Sequence, residues 1–184
     1  MSATNSIQLW KNAKAGNRQA LESLLQNHQD QIFRFCHAQL LNEALAIEAT
    51  QETAIRIIKG LNGFQGRAKI STWILGIAHN VCHEIRRKNK RWQQHNALQL
   101  DAVLDTDESA ADKLFHQIEI GNLKQAISRL PKRQNTVVIL RFFEDMSLKE
   151  IATTLDISVG TVKASLHQGL GNLKADFHLK DANP

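Results

Sequence analysis

The stretch Ser147–Lys163, SLKEIATTLDISVGTVK, carries the strongest structural signal in the chain. Ser147 followed three residues later by Glu150 is a capping box, which predicts that a helix begins here. Apolar residues continue at helical spacing to Leu155, and the turn that follows ends in Ser158, which can cap a further helix. The stretch therefore predicts helix, turn, helix, an arrangement that presents its second helix to the major groove of DNA.

The second of these helices has one predicted apolar stripe and one predicted outer face. The stripe consists of Val162, Leu166, Leu170, Leu173 and Phe177. Residues that face outward near the start of the helix are candidates to contact duplex DNA, and they are Ser158, Thr161, Lys163, Ser165 and His167. A plain helical hairpin without a DNA-binding role is the alternative interpretation of the same pattern.

Upstream of this stretch, the chain also favours helices. It contains 2 prolines and 9 glycines, and apolar residues recur at steps of three and four rather than in alternation. Leu123, Ile127 and Leu130 predict a helix that stops at Pro131, which opens another helix through Phe143. Three earlier helices are predicted from Gly16 to about Asn42, from Glu43 to Lys59, and from Ile70 onward with Ser71 or Thr72 as its cap. We therefore expect an all-α fold.

Charge divides the chain into two parts. Residues 93–112 contain five acidic side chains and neither lysine nor arginine. This composition is typical of a flexible acidic linker. We predict a helical domain at residues 1–92, a linker at 93–116, and a second helical domain with the helix-turn-helix at 117–184.

The other informative block is FQGRAKISTWILGIAHN at residues 64–80, together with the basic run RRKNKR at 86–91. Aromatic, amide and cationic side chains lie together, a set that can hold single-stranded DNA by tracking its backbone and capturing an unstacked base. The candidate residues are Phe64, Arg67, Lys69, Ser71, Thr72, Asn80, Arg86 and Arg87. The alternative is that Phe64 and Trp73 belong to the core and that the basic run is a solvated helix end.

Several function classes receive little support. The formal net charge of +5 favours a polyanionic partner. No run of about 18 apolar residues is present to span a membrane, so we expect a cytoplasmic protein without membrane insertion. Cys36 and Cys82 are interpreted as isolated, buried thiols in a reducing compartment. An enzyme would have to use His79, Cys82 and His83 as metal ligands, but a fourth ligand is not evident, so we predict no catalytic residue, no metal and no cofactor.

The two blocks, in this order, resemble the extracytoplasmic-function branch of the sigma-70 family. Phe64-Gln65-Gly66, Ser71-Thr72-Trp73-Ile74 and Ile77-Ala78-His79-Asn80 resemble the segment of that family that melts the promoter and binds its minus-10 element. Gln51-Glu52-Thr53 resembles the polymerase-binding helix. Leu130-Pro131-Lys132-Arg133-Gln134 and the helix-turn-helix resemble the domain that binds the minus-35 element.

This resemblance implies a non-enzymatic sigma factor whose partners are core RNA polymerase, promoter DNA and an anti-sigma protein. It implies a polymerase-binding set of Glu48, Gln51, Glu52, Ile55 and Arg56. It assigns the candidates around residues 64–87 to the minus-10 strand and those of the last helix to the minus-35 duplex. The chain departs from the family in having Leu45-Ala46-Ile47-Glu48-Ala49 in place of an acidic run, and in lacking recognition-helix arginines. The rival hypothesis is a helix-turn-helix regulator that needs no polymerase and uses its first domain for dimerisation.

Overall fold

The computed structural model of the chain describes residues 3–66, 68–95, 123 and 125–181, and these residues contain helices and no strand. The helices are α1 (Ala3–Lys14), α2 (Arg18–Leu40), α3 (Glu43–Gly60), α4 (Ile70–His95), α5 (Lys132–Phe142), α6 (Leu148–Leu155) and α7 (Val159–Asp181). A 3-10 turn follows α3 at Leu61–Gly63, and residues 125–129 are also helical. The predicted all-α fold is confirmed.

Helices α1 to α4 form the first domain, and asparagines set two of its helix starts. The side chain of Asn17 accepts a hydrogen bond from the Ala20 N–H at 3.0 Å, and that of Asn42 accepts one from the Leu45 N–H at 2.9 Å. Each satisfies one of the amide donors that a helix leaves unpaired in its first turn. Between them, Leu41 adopts φ 53° and ends α2, which lets α3 turn back and pack against it.

The core of the first domain lies where α2, α3 and α4 meet. Phe35, Ile57 and Leu75, one from each helix, are fully buried there. Cys36 and Cys82 are buried in the same core as free thiols, as their isolated positions in the sequence predict. The spacing of Ile70, Ile74, Ile77, Ala78, Val81 and Ile85 predicts one apolar face for α4, and this face is buried except at Ile77, which is half-buried.

Helices α5 to α7 form the second domain, with α5 at its centre. Six consecutive residues of α5, Asn135–Leu140, are buried. A helix buried on every side must be covered by more than one neighbour. Helix α7 covers one side of α5, and α2 of the first domain contacts it as well.

The structure corrects several details of the sequence-based prediction. Helix α1 was not predicted. Helix α4 begins at Ile70, so Ser71 and Thr72 lie in its first turn and neither is its cap. It continues to His95, past the domain boundary predicted at residue 92; most of the predicted linker lies outside the described residues.

The buried stripe of α7 also differs from the predicted one. Leu170 is 42% exposed, whereas Ser165 and Gly169 are buried with Val162 and Leu173. A Cβ atom at Gly169 would lie 3.2 Å from Val138 Cγ2, so α5 and α7 approach too closely for large side chains. Small residues therefore line this contact, and the larger Leu170 is left outside.

The two domains pack against each other. Gln31 of α2 donates a hydrogen bond from Nε2 to Glu144 Oε2 at 2.9 Å. The hydroxyl of Thr136 in α5 lies 3.4 Å from Gln39 Oε1 of α2. Helix α6 packs against α4, which brings the helix-turn-helix next to the block at residues 64–80.

Candidate nucleic-acid interface

The helix-turn-helix is built by short-range hydrogen bonds that the sequence predicts. Ser147 Oγ accepts from the Glu150 N–H at 3.2 Å, and Glu150 Oε2 accepts from the Ser147 N–H at 2.8 Å, which completes the capping box. Asp156 then adopts φ 53° and makes the turn. Ser158 Oγ accepts from the Thr161 N–H at 3.0 Å and caps α7, so this predicted motif is present as a folded unit.

The start of α7 presents most of its predicted DNA-contacting residues to solvent. Ser158, Lys163 and His167 are exposed, and Thr161 is half-buried. Ser165 is 6% exposed, so the prediction that it points outward is wrong. Hydroxyl, ammonium and imidazole groups thus remain accessible at the start of α7, and these groups can bond to phosphates and base edges.

Phe64 is held in an aromatic cluster at the first block. Its ring packs edge-on against Trp10, with centroids 5.1 Å apart, and lies 5.2 Å from the Trp73 ring. Trp10 Nε1 donates to the Leu61 carbonyl at 3.2 Å, so α1 fastens the loop that follows α3. Phe64 is 5% exposed, as the core interpretation of this residue expects. Trp10 was missed in the sequence because its partners Leu61 and Phe64 lie more than 50 residues away along the chain.

A crevice of about 400 Å³ lies beside this cluster. It brings together three of the predicted single-strand residues, Phe64, Thr72 and Asn80. Of these, Asn80 is exposed and Thr72 is 2% exposed. Aromatic edges, a hydroxyl and an amide on one cleft are groups that can hold an unstacked base by its polar edge.

The other predicted single-strand residues lie elsewhere. Lys69 and Ser71 line a separate hollow with residues of α1 and α2. Arg86 is half-buried and donates to the Gln39 carbonyl, whereas Arg87 is exposed. Arg67 lies outside the described residues. The structure thus gathers part of the predicted set into one crevice and distributes the rest around α4.

The second domain covers one edge of this crevice. Thr153 and Thr154 of α6 line it, and the Thr154 hydroxyl lies 3.4 Å from the Thr72 carbonyl. A Cβ atom added at Gly76 would lie 3.6 Å from the Thr154 carbonyl oxygen, so glycine permits close approach here. Sequence reasoning missed both threonines because their contacts are made more than 70 residues away along the chain.

An ion pair also joins the two domains near this contact between α4 and α6. Lys69 Nζ lies 2.8 Å from Glu150 Oε1, and Glu150 is also the acidic member of the capping box. The hydrogen bond from Lys69, followed by those from Ser147, lowers the pKa of Glu150 to about 2. Lys69, predicted to hold DNA, is therefore paired with a carboxylate of the other domain.

Helix α3 presents an apolar face to solvent. Ile47, Ile55 and Ile58 are 44 to 48% exposed, while the opposite face is buried through Ala46, Ala49, Thr53 and Ile57. Two residues of the set that the resemblance assigns to polymerase binding, Glu48 and Gln51, are also exposed on this helix. Exposed isoleucines among polar groups are typical of a protein-binding surface.

A further member of that set, Arg56, joins α3 to α4. Arg56 donates from Nη1 and Nη2 to both carboxylate oxygens of Glu84 at 2.8 and 2.6 Å, and from Nε to Glu52 at 2.7 Å. The bond from Arg56 lowers the pKa of Glu84 below its ordinary value. Such a bidentate pair fixes a guanidinium geometrically, so Arg56 ties α3 to α4 at the edge of the apolar face.

The metal-site alternative gains no geometric support. No group of three metal-ligating side chains occurs within the residues that the structure describes. Cys82 is buried beside Cys36, and a hydrogen bond with Cys36 raises the pKa of its thiol. Burial, with smaller contributions from His83 and Arg86, lowers the pKa of His79 to about 4.

Among the described residues, no helix is both long and apolar enough to cross a membrane.

Comparison with known families follows the same division of the chain. The family model of Sigma-70 region 2 matches residues 24–92, and that of Sigma-70, region 4 matches residues 120–173. The ECF RNA polymerase sigma factor SigW of Bacillus subtilis (strain 168) is 30% identical over 167 residues, which are 86% of this chain and 89% of SigW.

Solved structures share the fold. CnrH in complex with the cytosolic domain of CnrY matches with a TM-score of 0.71 at 20% identity and covers 100% of both chains. The sigma factor RpoE in complex with the anti-sigma factor NepR from Bartonella quintana matches with a TM-score of 0.69 at 17% identity, over 85% of this chain and 96% of that one. At such identities the likeness concerns the arrangement of helices.

Proposed function

Since this chain belongs to the extracytoplasmic-function branch of the sigma-70 family and is a promoter-directing sigma factor, we propose that three of its surfaces divide that work. The observation that carries the proposal is the presence of both sigma-70 regions in one chain, the second ending in a capped helix-turn-helix. The protein acts by binding and catalyses no reaction of its own.

The exposed face of α3 is the proposed contact with core RNA polymerase. Its centre is Ile55, 44% exposed, flanked by Glu48, Gln51 and Glu52, with Arg56 held at the edge. An apolar centre with a polar rim is the usual anatomy of a protein interface. The ion pairs of Arg56 keep α3 fixed on α4, so this surface is preorganised for binding.

The two DNA contacts are proposed to differ in kind. The crevice with Phe64, Thr72 and Asn80 captures an unstacked base of the minus-10 strand, while Lys69, Arg86 and Arg87 neutralise phosphates. Ser158, Thr161, Lys163 and His167 of α7 contact the minus-35 duplex. Phosphate neutralisation and base capture offset an unstacking cost of about a few kcal/mol per step. Promoter opening should accordingly weaken steeply with salt.

Reading both elements requires the two domains to separate. Elements centred near positions minus 10 and minus 35 are about 25 base pairs apart, or about 85 Å along B-form DNA. A compact protein of this length has a radius of gyration of about 16 Å. The chain between the last described residue of α4 and Leu123 has a contour length of roughly 90 Å, enough for the separation. We infer that the packed arrangement belongs to the free protein.

Binding to sigma-free core polymerase, in competition with another sigma factor, tests the proposal. Ile55→Glu should weaken this binding by at least about tenfold, because it buries an unpaired carboxylate in the interface. Leu170→Glu is the matched control, since Leu170 is equally exposed at 42% but lies on α7. Equal affinities for both variants would remove the α3 assignment.

The same experiment separates the rival hypothesis. A stand-alone regulator would not bind core polymerase and would bind a two-fold symmetric duplex by itself. Binding that another sigma factor competes away excludes that reading. A folded protein that binds symmetric duplex and no polymerase supports it instead.

We further propose that the protein works in the cytoplasm and is controlled by an anti-sigma protein that contacts both domains. Support comes from two structures with this fold, one of which was solved with the anti-sigma factor NepR and the other with the cytosolic domain of CnrY. Phe143, 50% exposed, lines an apolar hollow with residues of α2, and the neighbouring Phe142 is 58% exposed. A purified candidate partner should bind the intact chain more tightly than either domain and should compete with core polymerase.

A further inference from the structure

A second crevice, of about 320 Å³, lies between the two domains and shares none of its lining residues with the crevice beside Phe64. The first domain contributes Gln39, His79, His83 and Arg86 to its lining. The second contributes Lys132, Arg133 and Thr136 from α5, with Leu155 and Ile157 forming an apolar wall. Its volume is at the lower end of the range for small-molecule sites.

The charged side chains that line this crevice are positive. Arg86, Lys132 and Arg133 are cations at neutral pH, and no carboxylate of the described residues lines the crevice or forms an ion pair with them. Burial is the main cause that lowers the pKa of His79, and the neighbouring His83 and Arg86 lower it further. Packing of the two domains thus brings like charges together, which is unfavourable unless an anion binds between them.

Hydrogen-bond donors in the same place lack partners. Gln39 is 3% exposed, its carbonyl oxygen Oε1 lies 3.4 Å from the Thr136 hydroxyl, and its amide Nε2 has no acceptor among the described residues. Helix α5 begins at Lys132 without a side-chain cap, so its first amide groups lie at the same edge. Arg86 donates to the backbone carbonyl oxygen of Gln39, which places the guanidinium at the same residue. Buried donors without acceptors are rare in folded proteins and call for an explanation.

We propose that this interdomain crevice binds a small phosphate-bearing anion of about the size of a diphosphate, which bridges Arg86 of α4 to Lys132 and Arg133 of α5. Guanidinium and ammonium groups with a helix amino end are the usual set for such an anion. At about 30 Å³ per water molecule, the crevice has room for two phosphate groups and several waters.

The anion would favour the packed arrangement over the open one. The arginine that binds it lies in one domain and the other two cations lie in the second, so the complete site exists only when the domains are packed. A ligand that binds one of two states shifts their populations toward that state. Since promoter reading requires separated domains, the same anion should compete with promoter binding.

Calorimetric titration of the full chain with inorganic pyrophosphate at pH 7.5 and fixed ionic strength tests the site. The wild type should bind one equivalent, and Lys132→Gln/Arg133→Gln should bind at least about tenfold more weakly because it removes two charge-assisted contacts. Lys149→Gln/Lys174→Gln is the matched control, because it changes the net charge equally at exposed residues of the same domain outside the crevice. It should bind as the wild type does.

A further variant and a DNA-binding measurement complete the test. Gln39→Glu adds a carboxylate beside the three cations, so it should abolish pyrophosphate binding without unpacking the domains. A promoter duplex that carries both elements should bind the holoenzyme more weakly when pyrophosphate is present. Equal loss in both double variants would overturn the proposal, since it would mean that only net charge matters. Loss of duplex binding alone in Lys132→Gln/Arg133→Gln would overturn it too, since the cations would then serve the DNA backbone.

Discussion

Replacement of Glu150 by glutamine should shift the free protein toward separated domains without loss of the helix-turn-helix. Glutamine can keep the hydrogen bonds of the capping box, but it loses the charge that pairs with Lys69 at 2.8 Å. Lys69 is 63% exposed in this pair and Glu150 is 20% exposed, so water screens much of the attraction. Exposed ion pairs of this kind change an equilibrium by about two- to fivefold, and we expect the ratio of open to packed protein to rise by that factor.

Energy transfer between two fluorophores would measure the ratio. Gln26→Cys in α2 and Ala175→Cys in α7 are exposed labelling sites, while Cys36 and Cys82 are buried and will label slowly. Transfer should fall in the Glu150→Gln protein at low salt, and raising the salt concentration should lower transfer in the wild type more than in the variant.

The control is Glu22→Gln, which breaks an ion pair with Arg18 of similar length, 3.0 Å, but within α2. It should leave the transfer efficiency unchanged. The pH dependence gives a second check: the pKa of Glu150 is lowered to about 2, so the ion pair is complete above the ordinary carboxyl range and is lost as the pH falls from about 4.3 toward 2. Unchanged transfer in Glu150→Gln across salt would refute the reasoning that this pair holds the domains together.

Three further outcomes follow from the packing. Gly171→Ala should raise the melting temperature by about 2–4 °C in thermal unfolding, because alanine favours the helix and its Cβ meets nothing within 4 Å. Gly169→Ala should leave the melting temperature unchanged or lower it, because its Cβ would press on Val138 and Gln134. Ser165→Ala should leave minus-35 affinity within twofold of wild type, while Lys163→Ala lowers it in gel-shift titrations with the holoenzyme. The pKa of His79 is lowered to about 4, so between pH 6.5 and 4 the unfolded chain binds more protons than the folded one. The free energy of unfolding, measured with urea, should therefore decrease as the pH is lowered through this window, by at most about 1.4 kcal/mol per pH unit. His79→Gln should make this pH dependence weaker.

Local signals in the sequence predicted the elements that short-range physics controls. The capping box at Ser147 and Glu150, the serine cap of α7, and the buried stripe of α4 all depend on spacings of three and four residues. Each can be inferred without knowledge of the tertiary fold, because the interacting groups lie within one turn of helix. These predictions were confirmed.

What the sequence could not predict depends on how closely helices approach. In α7, hydrophobicity favoured Leu170 as a core residue, but α5 packs so near that Ser165 and Gly169 occupy the contact. In α3, Ile47 and Ile55 recur at helical spacing, but this spacing does not tell that their side of the helix faces solvent. A periodic pattern identifies a face, and only the tertiary arrangement tells what covers it.

The contact between the domains was not predicted from the sequence. Glu150 was recognised for its capping role, but its partner Lys69 is 81 residues earlier and had been assigned to DNA. Sequence patterns identify the partner of such a residue that lies within one helical turn. They do not identify a second partner that is brought close only by the tertiary fold.

The proposed polymerase surface is separate from the contact between the domains, and this separation implies an order of events. The groove beside Ile55 is lined by residues of α3 and α4 only, from Glu48 to Lys88, and none comes from α5, α6 or α7. Polymerase can therefore dock on the packed protein, whereas capture of the minus-10 strand needs α6 to leave the crevice at Thr72. Glu150→Gln should then bind core polymerase as tightly as the wild type but should require less free energy to open on the promoter. If the variant instead binds core polymerase more tightly in the absence of DNA, opening precedes docking and the order is reversed.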